Sequence, residues 1–378
     1  MKKILIILCS LFLVGCQNYR ELNNTAIVSA IGIDTDDNGY KVSVQIVNTE
    51  KNSNEQENLN NPIVYSSNGK NISDALNNIN LKSPNILYLG HLQVVLISEK
   101  IAKMGINDFT DYFLRNNEIN KNFTILISKD NTPEEVLNVP TSLVNFPRGN
   151  ILGSIEVSST LSGASNNIKF TNFINDLKSK GINPVMSSIK IVESEEKNKK
   201  NLQISDMAIF NKDKLVGYIN KDEIIGYNFI TNNIDNTIIN IKCNKNRNMS
   251  IKLKNINTKT TFKLKNNNPN IIINVNSKAN IEETNCDLDL KNIKEKTESE
   301  IKYLINTTIN KIKQNYHIDI FGFGNKIYQK NPNYFKSIEN NWNEIFSNLD
   351  IVINVNTDIE TKGNLILKGW WFFEKYKD

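Results

Sequence analysis

The chain has 378 residues, of which 39% are hydrophobic, 22% charged and 8% aromatic. This length predicts two or three domains, and the apolar content predicts packed cores and excludes a disordered chain. Internal apolar runs are too short to span a bilayer, which excludes a polytopic channel or transporter. The 45 basic residues are balanced by 40 acidic ones and form no basic stripe, which argues against a nucleic-acid partner.

The first sixteen residues have the pattern of a lipoprotein signal peptide. Two lysines precede an apolar segment over residues 4–14, which is too short to cross a membrane, and the sequence LVGC ends at Cys16. That ending is typical of a lipobox, so we expect residues 1–15 to be removed and Cys16 to carry lipid. An ordinary secretory signal with a chance cysteine is the alternative. Two or three acyl chains would make a stable membrane anchor.

From residue 25 to residue 192, apolar strands alternate with short helices. Apolar runs and period-two alternation predict strands over residues 25–34, 40–47, 92–97, 123–128 and 185–192. Capping signals predict helices beginning near Ser73, Ser98 and Thr132, with Gly105 ending the second, and helical spacing predicts others over 108–114 and 172–180. Residues 50–61 and 140–165 are expected to be irregular.

The charged run at 193–201 is the best candidate for a domain boundary. It leaves an N-terminal region, residues 16–192, of one or two subdomains, and a C-terminal domain, residues 202–378. In the second part we predict strands over 204–210, 214–219, 237–242, 249–253, 260–264, 271–276 and 350–359, a long amphipathic helix over 290–316 and a further helix ending at residue 346. The predicted fold class is α+β, with mostly antiparallel sheets and packed helices.

The sequence contains little material for catalysis. The nucleophile elbow, zinc-protease, Cys-x-x-Cys and phosphate-loop motifs are absent. His91 and His317 are isolated and are expected to be structural, and Asp34 and Asp319 could do acid–base work only if the fold brought them together. We therefore expect no enzyme activity, no cofactor and no metal. The two cysteines of the exported body, Cys243 and Cys286, could form a disulfide or remain as thiols.

A set of residues is spread in order over nearly the whole sequence: Cys16, Tyr19 to Asn23, Ile27-Val28, Ile31 to Asp34, Gly90-His91-Leu92, Leu96 to Ala102 with Gly105, Arg115, Glu118-Ile119, Ala208-Ile209-Phe210, Asp213 to Tyr218, Glu223, Gly226, Asp319 to Gly324, Pro332 and Trp342. In these residues the chain resembles the Ger(x)C lipoproteins, which are the C subunits of spore germinant receptors. Two departures are Gln17-Asn18, where the family usually has Trp-Asp, and a longer tail after Gly363.

The resemblance implies a non-enzymatic subunit of a receptor in the inner membrane of spores, tethered on the outer face. Such a subunit works with two integral-membrane subunits and helps small nutrients to trigger germination. The alternative is a lipid-anchored solute-binding protein of a transporter, which should have two similar lobes; the sequence shows no repeated halves. The germinant, any direct contact with it and the partner-binding face stay open.

A protein that acts without a reactive site acts through its surface. The candidate contact residues are polar or aromatic side chains beside the expected anchor and near the C-terminus, and ordinary packing is the alternative for each of them. They are Tyr19, Arg20, Glu21, Trp370 and Trp371.

Overall fold

A computed structural model describes residues 24–36, 39–47, 63–140, 150–194, 200–244, 247–265 and 268–360. The strands are β1 Thr25–Asp36, β2 Gly39–Ile46, β3 Ile63–Gly69, β4 Ile86–Tyr88, β5 Val94–Ser98, β6 Thr124–Ser128, β7 Val185–Glu193, β8 Lys200–Asn211, β9 Lys214–Ile219, β10 Thr237–Asn244, β11 Arg247–Lys265, β12 Asn268–Thr284 and β13 Asp350–Ile359. The helices are α1 Ile72–Asn80, α2 Glu99–Met104, α3 Asn107–Arg115, α4 Pro133–Leu137, α5 Asn150–Val157, α6 Phe170–Lys178, α7 Lys221–Thr231, α8 Leu290–Lys311, α9 Phe323–Lys330, α10 Pro332–Ile338 and α11 Trp342–Ser347.

The first sheet has the strand order β3-β2-β1-β5-β6-β7-β8-β9, with β4 paired to β1. Its centre is parallel, from β1 through β5 and β6 to β7, and its flanks are antiparallel. In β5, Val95 and Ile97 join one apolar core while Val94 and Leu96 join another on the opposite face. The central strands are therefore covered on both sides, which explains their uninterrupted apolar sequences.

The helix signals in this half were mostly correct. The Ser98 side chain caps α2, Gly105 ends it at φ +130°, and Thr132 with Glu135 forms the capping box of α4. The first helix is capped by Asn71 and not by Ser73. Asn71 immediately precedes the apolar stripe of α1, and either side chain could have supplied the oxygen acceptor.

Two helices were missed. Residues 140–165 were expected to be irregular, but α5 lies there and continues as a π-helical turn over Ser158–Ser162. Its apolar side chains pack on the second face of the sheet. No element was predicted at α7, which is capped by Asn220 and Glu223 and is buried on nearly every side. A helix without a polar face has no amphipathic period to detect.

The second sheet has the order β10-β11-β12-β13 and carries α8 on its inner face. The predicted strands 249–253 and 260–264 are one strand, β11, with a bulge between Lys254 and Asn257. The long helix ends as predicted at Tyr316, its last turn being π-helical. The further helix to residue 346 is three helices, α9 to α11. Both sheets mix parallel and antiparallel pairs with packed helices, which confirms the α+β class.

The two ends of the charged run at 193–201 belong to paired strands, since Glu193 is the last residue of β7 and Lys200 the first residue of β8. β7 and β8 are antiparallel neighbours, and Glu193 stands opposite Lys200. One core contains Val185, Met207 and Ile209 together with the apolar residues of α8 and the second sheet. The two regions of the chain therefore share a core, and the domain boundary at 193–201 stays a prediction.

A disulfide joins Cys243 on β10 to Cys286, which follows β12, with 6.1 Å between their Cα atoms. It ties the edge strand β10 to the end of β12 across the intervening strand β11. The choice that the sequence left open between a bridge and free thiols is thus decided in favour of the bridge.

Candidate functional site

Several residues singled out from the sequence lie outside the described ranges. The expected lipid attachment and the candidate partner contacts therefore stay predictions, as does the irregular loop at 50–61. The residues concerned are Cys16, Tyr19, Arg20, Glu21, Trp370 and Trp371.

The two carboxylates weighed for acid–base work do not form a pair. Asp34, near the end of β1, accepts a hydrogen bond from the backbone N–H of Thr35 at 2.8 Å. Asp319 is fully buried in the other half, and its carboxylate accepts the backbone N–H groups of Phe321, Gly322 and Gly324 at 2.8–2.9 Å. Burial raises the pKa of Asp319 to about 6, although those N–H donors act in the opposite direction. Asp319 organises a turn.

The histidines have structural surroundings. His91 is exposed and lies edge-on to Tyr88, with 5.7 Å between ring centroids. His317 ends the π-helical turn in the left-handed conformation, and its Nδ1 lies 3.2 Å from Ser347 Oγ. Within the described ranges, no three His, Cys, Asp or Glu side chains converge as metal ligands would, and no helix has the length and apolarity needed to cross a bilayer.

A cluster of four interacting side chains lies at one edge of the first sheet. Glu99 and Lys129 directly follow the parallel strands β5 and β6, and the carboxyl ends of parallel neighbours share an edge. Asp206 comes from β8 and Tyr218 from β9. We call Glu99, Lys129, Asp206 and Tyr218 the junction cluster, because β9 continues from here into the C-terminal half.

Two members of the junction cluster, Tyr218 and Lys129, stay protonated near neutral pH. The Tyr218 hydroxyl donates to the Glu99 carboxylate, and burial, followed by Glu99, raises the pKa of Tyr218 far above its ordinary value. Lys129 pairs with Asp206 and lies 4.6 Å from the centroid of the Tyr218 ring. Burial acts to lower the pKa of Lys129, but the hydrogen bond and charge of Asp206, together with the charges of Asp130 and Glu99, outweigh burial and raise that pKa. A protonated phenol and a protonated amine cannot act as bases near neutral pH.

Tyr316, at the end of the long helix, contacts the edge strand β9 beside this cluster. The Tyr316 phenol accepts the backbone N–H of Tyr218 at 3.2 Å and donates to the Tyr218 carbonyl at 3.0 Å. A Cβ atom on Gly217 would lie 2.4–2.8 Å from the Tyr316 ring. Gly217 therefore permits the approach, and Tyr316 replaces the strand that β9 lacks on its free edge.

Two further hydrogen bonds connect the turn between β8 and β9 to the start of α3. The Asp213 carbonyl accepts the N–H of Ile106 at 3.1 Å, and its carboxylate accepts the side-chain amide of Asn107 at 2.7 Å. Sequence reasoning connected Glu99, Gly105, Asp213 and Tyr218 with the family resemblance but assigned them no contacts. Lys129 and Asp206 were missed, because nothing in their local sequence shows that they will meet.

A cleft of about 720 Å³ lies beside the turn between β8 and β9. It lies among α3, the segment after α6, the turn between β8 and β9, and the helices α10 and α11. An ion pair of 2.7 Å between Lys180 and Glu339 joins its two sides. The cleft therefore lies where the first sheet and its helices meet the helices α10 and α11, and the ion pair connects the two sides.

Comparison with known proteins gives matches over both halves. Residues 18–191 match the family described as spore germination protein N-terminal domain, and residues 205–363 match spore germination B3/GerAC like, C-terminal. The chain is 27% identical over 390 residues to spore germination protein KC of Bacillus subtilis (strain 168), covering 95% of each chain. It is 20% identical over 369 residues to spore germination protein B3 of the same organism, covering 94% of this chain and 96% of that protein.

A solved structure shares the fold. The crystal structure of the GerBC protein superposes with a TM-score of 0.56 at 18% sequence identity, and the match covers 87% of this chain and 96% of that chain. The similarity extends through both sheets, since so large a share of each chain is included.

Proposed function

Because the chain belongs to the Ger(x)C family of spore germination proteins, we propose that it is the lipid-anchored C subunit of a nutrient germinant receptor. In this proposal Cys16 carries the lipid and holds the body on the outer face of the spore inner membrane. The body works with two integral-membrane subunits and is required for germination in response to small nutrients. It is not an enzyme, and it uses no cofactor or metal.

The observation that carries the proposal is the pair of family matches, which follow each other in order along residues 18–191 and 205–363. The geometry of the junction supports a role through contact. Lys129 and Tyr218 stay protonated, and Tyr316 connects the end of the long helix to β9 through a hydrogen bond. A rigidly joined body is suited to passing on a conformational change made by a partner.

The solute-binding alternative is less well supported. A solute-binding protein closes two similar lobes around its ligand at a hinge. In the part of the chain that the structure describes, the two sheets are unlike, with nine strands in the first and four in the second, and one core contains residues of both. Neither feature favours a hinge that opens and closes.

Deletion of the protein tests the receptor role. Spores of the deletion strain should fail to germinate with one class of nutrient, measured by the fall in optical density of a spore suspension, while sporulation and vegetative growth stay normal. Normal germination with every nutrient tested, together with loss of uptake of one solute, would support the transporter alternative.

Cys16→Ala tests the anchor. The variant should incorporate no radiolabelled palmitate and should be released from membranes or stay uncleaved. Palmitate on this variant together with normal membrane retention would contradict the lipobox prediction.

The tether beside the anchor is a proposed partner contact. Arg20→Ala with Glu21→Ala should weaken co-purification with the membrane subunits and leave the thermal unfolding of the body unchanged. The matched control is Arg115→Ala with Asp111→Ala, which removes an exposed ion pair of 2.8 Å on α3. Equal co-purification of the two double variants would remove Arg20 and Glu21 from the interface.

A further inference from the structure

Positive charge is concentrated in the first three strands of the second sheet; its last strand, β13, adds Asp350 and Asp358. Residues 237–284, which contain β10 to β12, hold nine of the 45 basic residues of the chain and only two of its 40 acidic residues. Other residues separate each basic residue from the next, so they form no basic run in the sequence. The fold collects many of them on one surface.

The alternation of β11 decides which surface that is. Before the bulge, Ile251 and Leu253 are buried in the core, so Lys254 points to the opposite, outer face. After the bulge, Lys259 stands opposite Asn274 and Lys263 opposite Asn270.

The second stretch of β11 keeps the same outer face. Ile271 and Ile273, the neighbours of the two asparagines on β12, are buried in the core. Lys265 continues the outward series two residues after Lys263, a spacing of about 7 Å along a strand. We call Lys254, Lys259, Lys263 and Lys265 the basic face.

These lysines do not stabilise the body through ion pairs. Two other cations of the same sheet are paired, Lys252 with Glu282 at 3.5 Å and Lys278 with Glu360 at 2.8 Å. The four lysines of the basic face make no ion pair with any part of the chain that the structure describes. Lys254 even stands directly opposite Lys278. Like charges in opposed positions destabilise a sheet.

The chemistry of the surface favours an extended anionic partner. Lys259, Lys263 and Lys265 are exposed and stand opposite asparagines on β12. The neighbouring apolar side chains of this face, Ile272 and the exposed Val352, form too small a patch for the apolar centre of a protein interface. The face also lacks the aromatic side chains on which nucleic-acid bases stack. Ammonium groups act as hydrated point charges without the fixed geometry of guanidinium, which suits a diffuse layer of headgroups.

We propose that the basic face lies against the anionic headgroups of the bilayer and fixes the orientation of the body on the membrane. The inference rests on the lipid anchor of the proposed function, because the anchor keeps the body close to a membrane. Attraction to a charged surface is screened beyond about 8 Å at physiological ionic strength, so the lysines must lie at the headgroups and the contact must weaken with salt.

Lysine acetylation of the full-length lipidated protein tests the contact. The protein is placed in vesicles of phosphatidylcholine alone or of phosphatidylcholine with phosphatidylglycerol, and modification is measured by mass spectrometry. The four lysines should be modified several-fold more slowly in the anionic vesicles and recover at high salt. Lys100 and Lys178, exposed in the other half, should react equally in both.

A triple variant separates direct contact from a general effect of the vesicles. In Lys259→Gln/Lys263→Gln/Lys265→Gln, the protection of Lys254 should disappear, and in the control Lys100→Gln/Lys178→Gln/Lys336→Gln it should persist. Equal modification in the two vesicle types, or protection that survives the triple change, overturns the inference. Failure to associate with neutral vesicles contradicts the anchor alone, provided that the anionic vesicles still protect the four lysines.

Discussion

Tyr316 closes the free edge of β9 by bonding both backbone groups of Tyr218. Its phenol accepts the N–H at 3.2 Å and donates to the carbonyl at 3.0 Å. The side chain of Tyr218 belongs to the junction cluster through Glu99 and Lys129. One residue thus links the end of the long helix to the parallel centre of the first sheet, and a displacement of either half must disturb both contacts.

Removal of the Tyr316 hydroxyl should weaken this joint. Tyr316→Phe keeps the ring against Gly217 but leaves the N–H and carbonyl of Tyr218 without that partner. We expect a loss of about 1–3 kcal/mol in the free energy of unfolding, measured by chemical denaturation. The control Tyr303→Phe changes a tyrosine that is 61% exposed. Equal stability of the two variants would show that Tyr316 contributes only its ring.

Two helical glycines should respond in opposite ways to alanine. A Cβ on Gly226 of α7 would lie 2.1 Å from Thr308 Oγ1 and 2.5 Å from the Leu304 carbonyl of α8, whereas a Cβ on Gly153 of α5 meets nothing within 4 Å. Gly226→Ala should lower the free energy of unfolding by about 1–3 kcal/mol because the helices must separate. Gly153→Ala should raise it by up to about 1 kcal/mol through helix propensity. Thermal unfolding that gave both variants the same sign would contradict this packing.

Two carboxyls, the fully buried Asp319 and the half-buried Asp176, should make the folded protein less stable as pH rises. Burial raises the pKa values of Asp176 and Asp319 to about 6, from an ordinary 3.8. The folded state then binds protons more tightly than the unfolded chain, so the free energy of unfolding should fall as pH rises from about 4 through about 6.

Asp176→Asn should remove part of this dependence, about 1–3 kcal/mol over the interval. Urea titrations across that pH range measure it, with the exposed Asp235→Asn as control. An unchanged pH profile in Asp176→Asn would place that carboxyl in contact with water.

The disulfide should contribute substantially to stability. It closes a loop with a sequence separation of 43 residues, for which the loss of chain entropy in the unfolded state corresponds to about 4 kcal/mol. Cys243→Ser with Cys286→Ser should lose that amount in chemical denaturation, and dithiothreitol should reproduce the loss in the unsubstituted protein. If dithiothreitol also destabilised the double variant, the effect would not come from this bridge.

Limited proteolysis tests the predicted boundary. Cleavage should occur first near 193–201, where a charged run connects two strands, or in the polar loop at 50–61. The nicked halves should elute together in gel filtration, because β7 pairs with β8 and one core extends through both regions. Separate elution without denaturant would indicate independent domains. First cleavage inside β5 would contradict the fold.

Local signals in the sequence were sufficient for elements with a clear period or cap. The β5 strand, the Ser98 cap and the Thr132 capping box follow from neighbouring residues, and the structure has all three. Helix α7 was missed because it is buried all round, and the basic face was missed because alternation disperses its lysines along β11. Hydrophobic periodicity identifies amphipathic helices and strands, and it gives no signal for an element whose two faces are equally apolar.

The sequence by itself determined the α+β class, the family resemblance and most of the strands, because these depend on the order and period of residues along the chain. Only the tertiary structure decided the disulfide, the separation of Asp34 from Asp319, and the contacts of Tyr218 with Glu99 and Tyr316. Each depends on which distant segments meet, as the sequence separation of 98 between Tyr218 and Tyr316 illustrates. Pairing at that range is set by the shared core and the strand order, which no local pattern encodes.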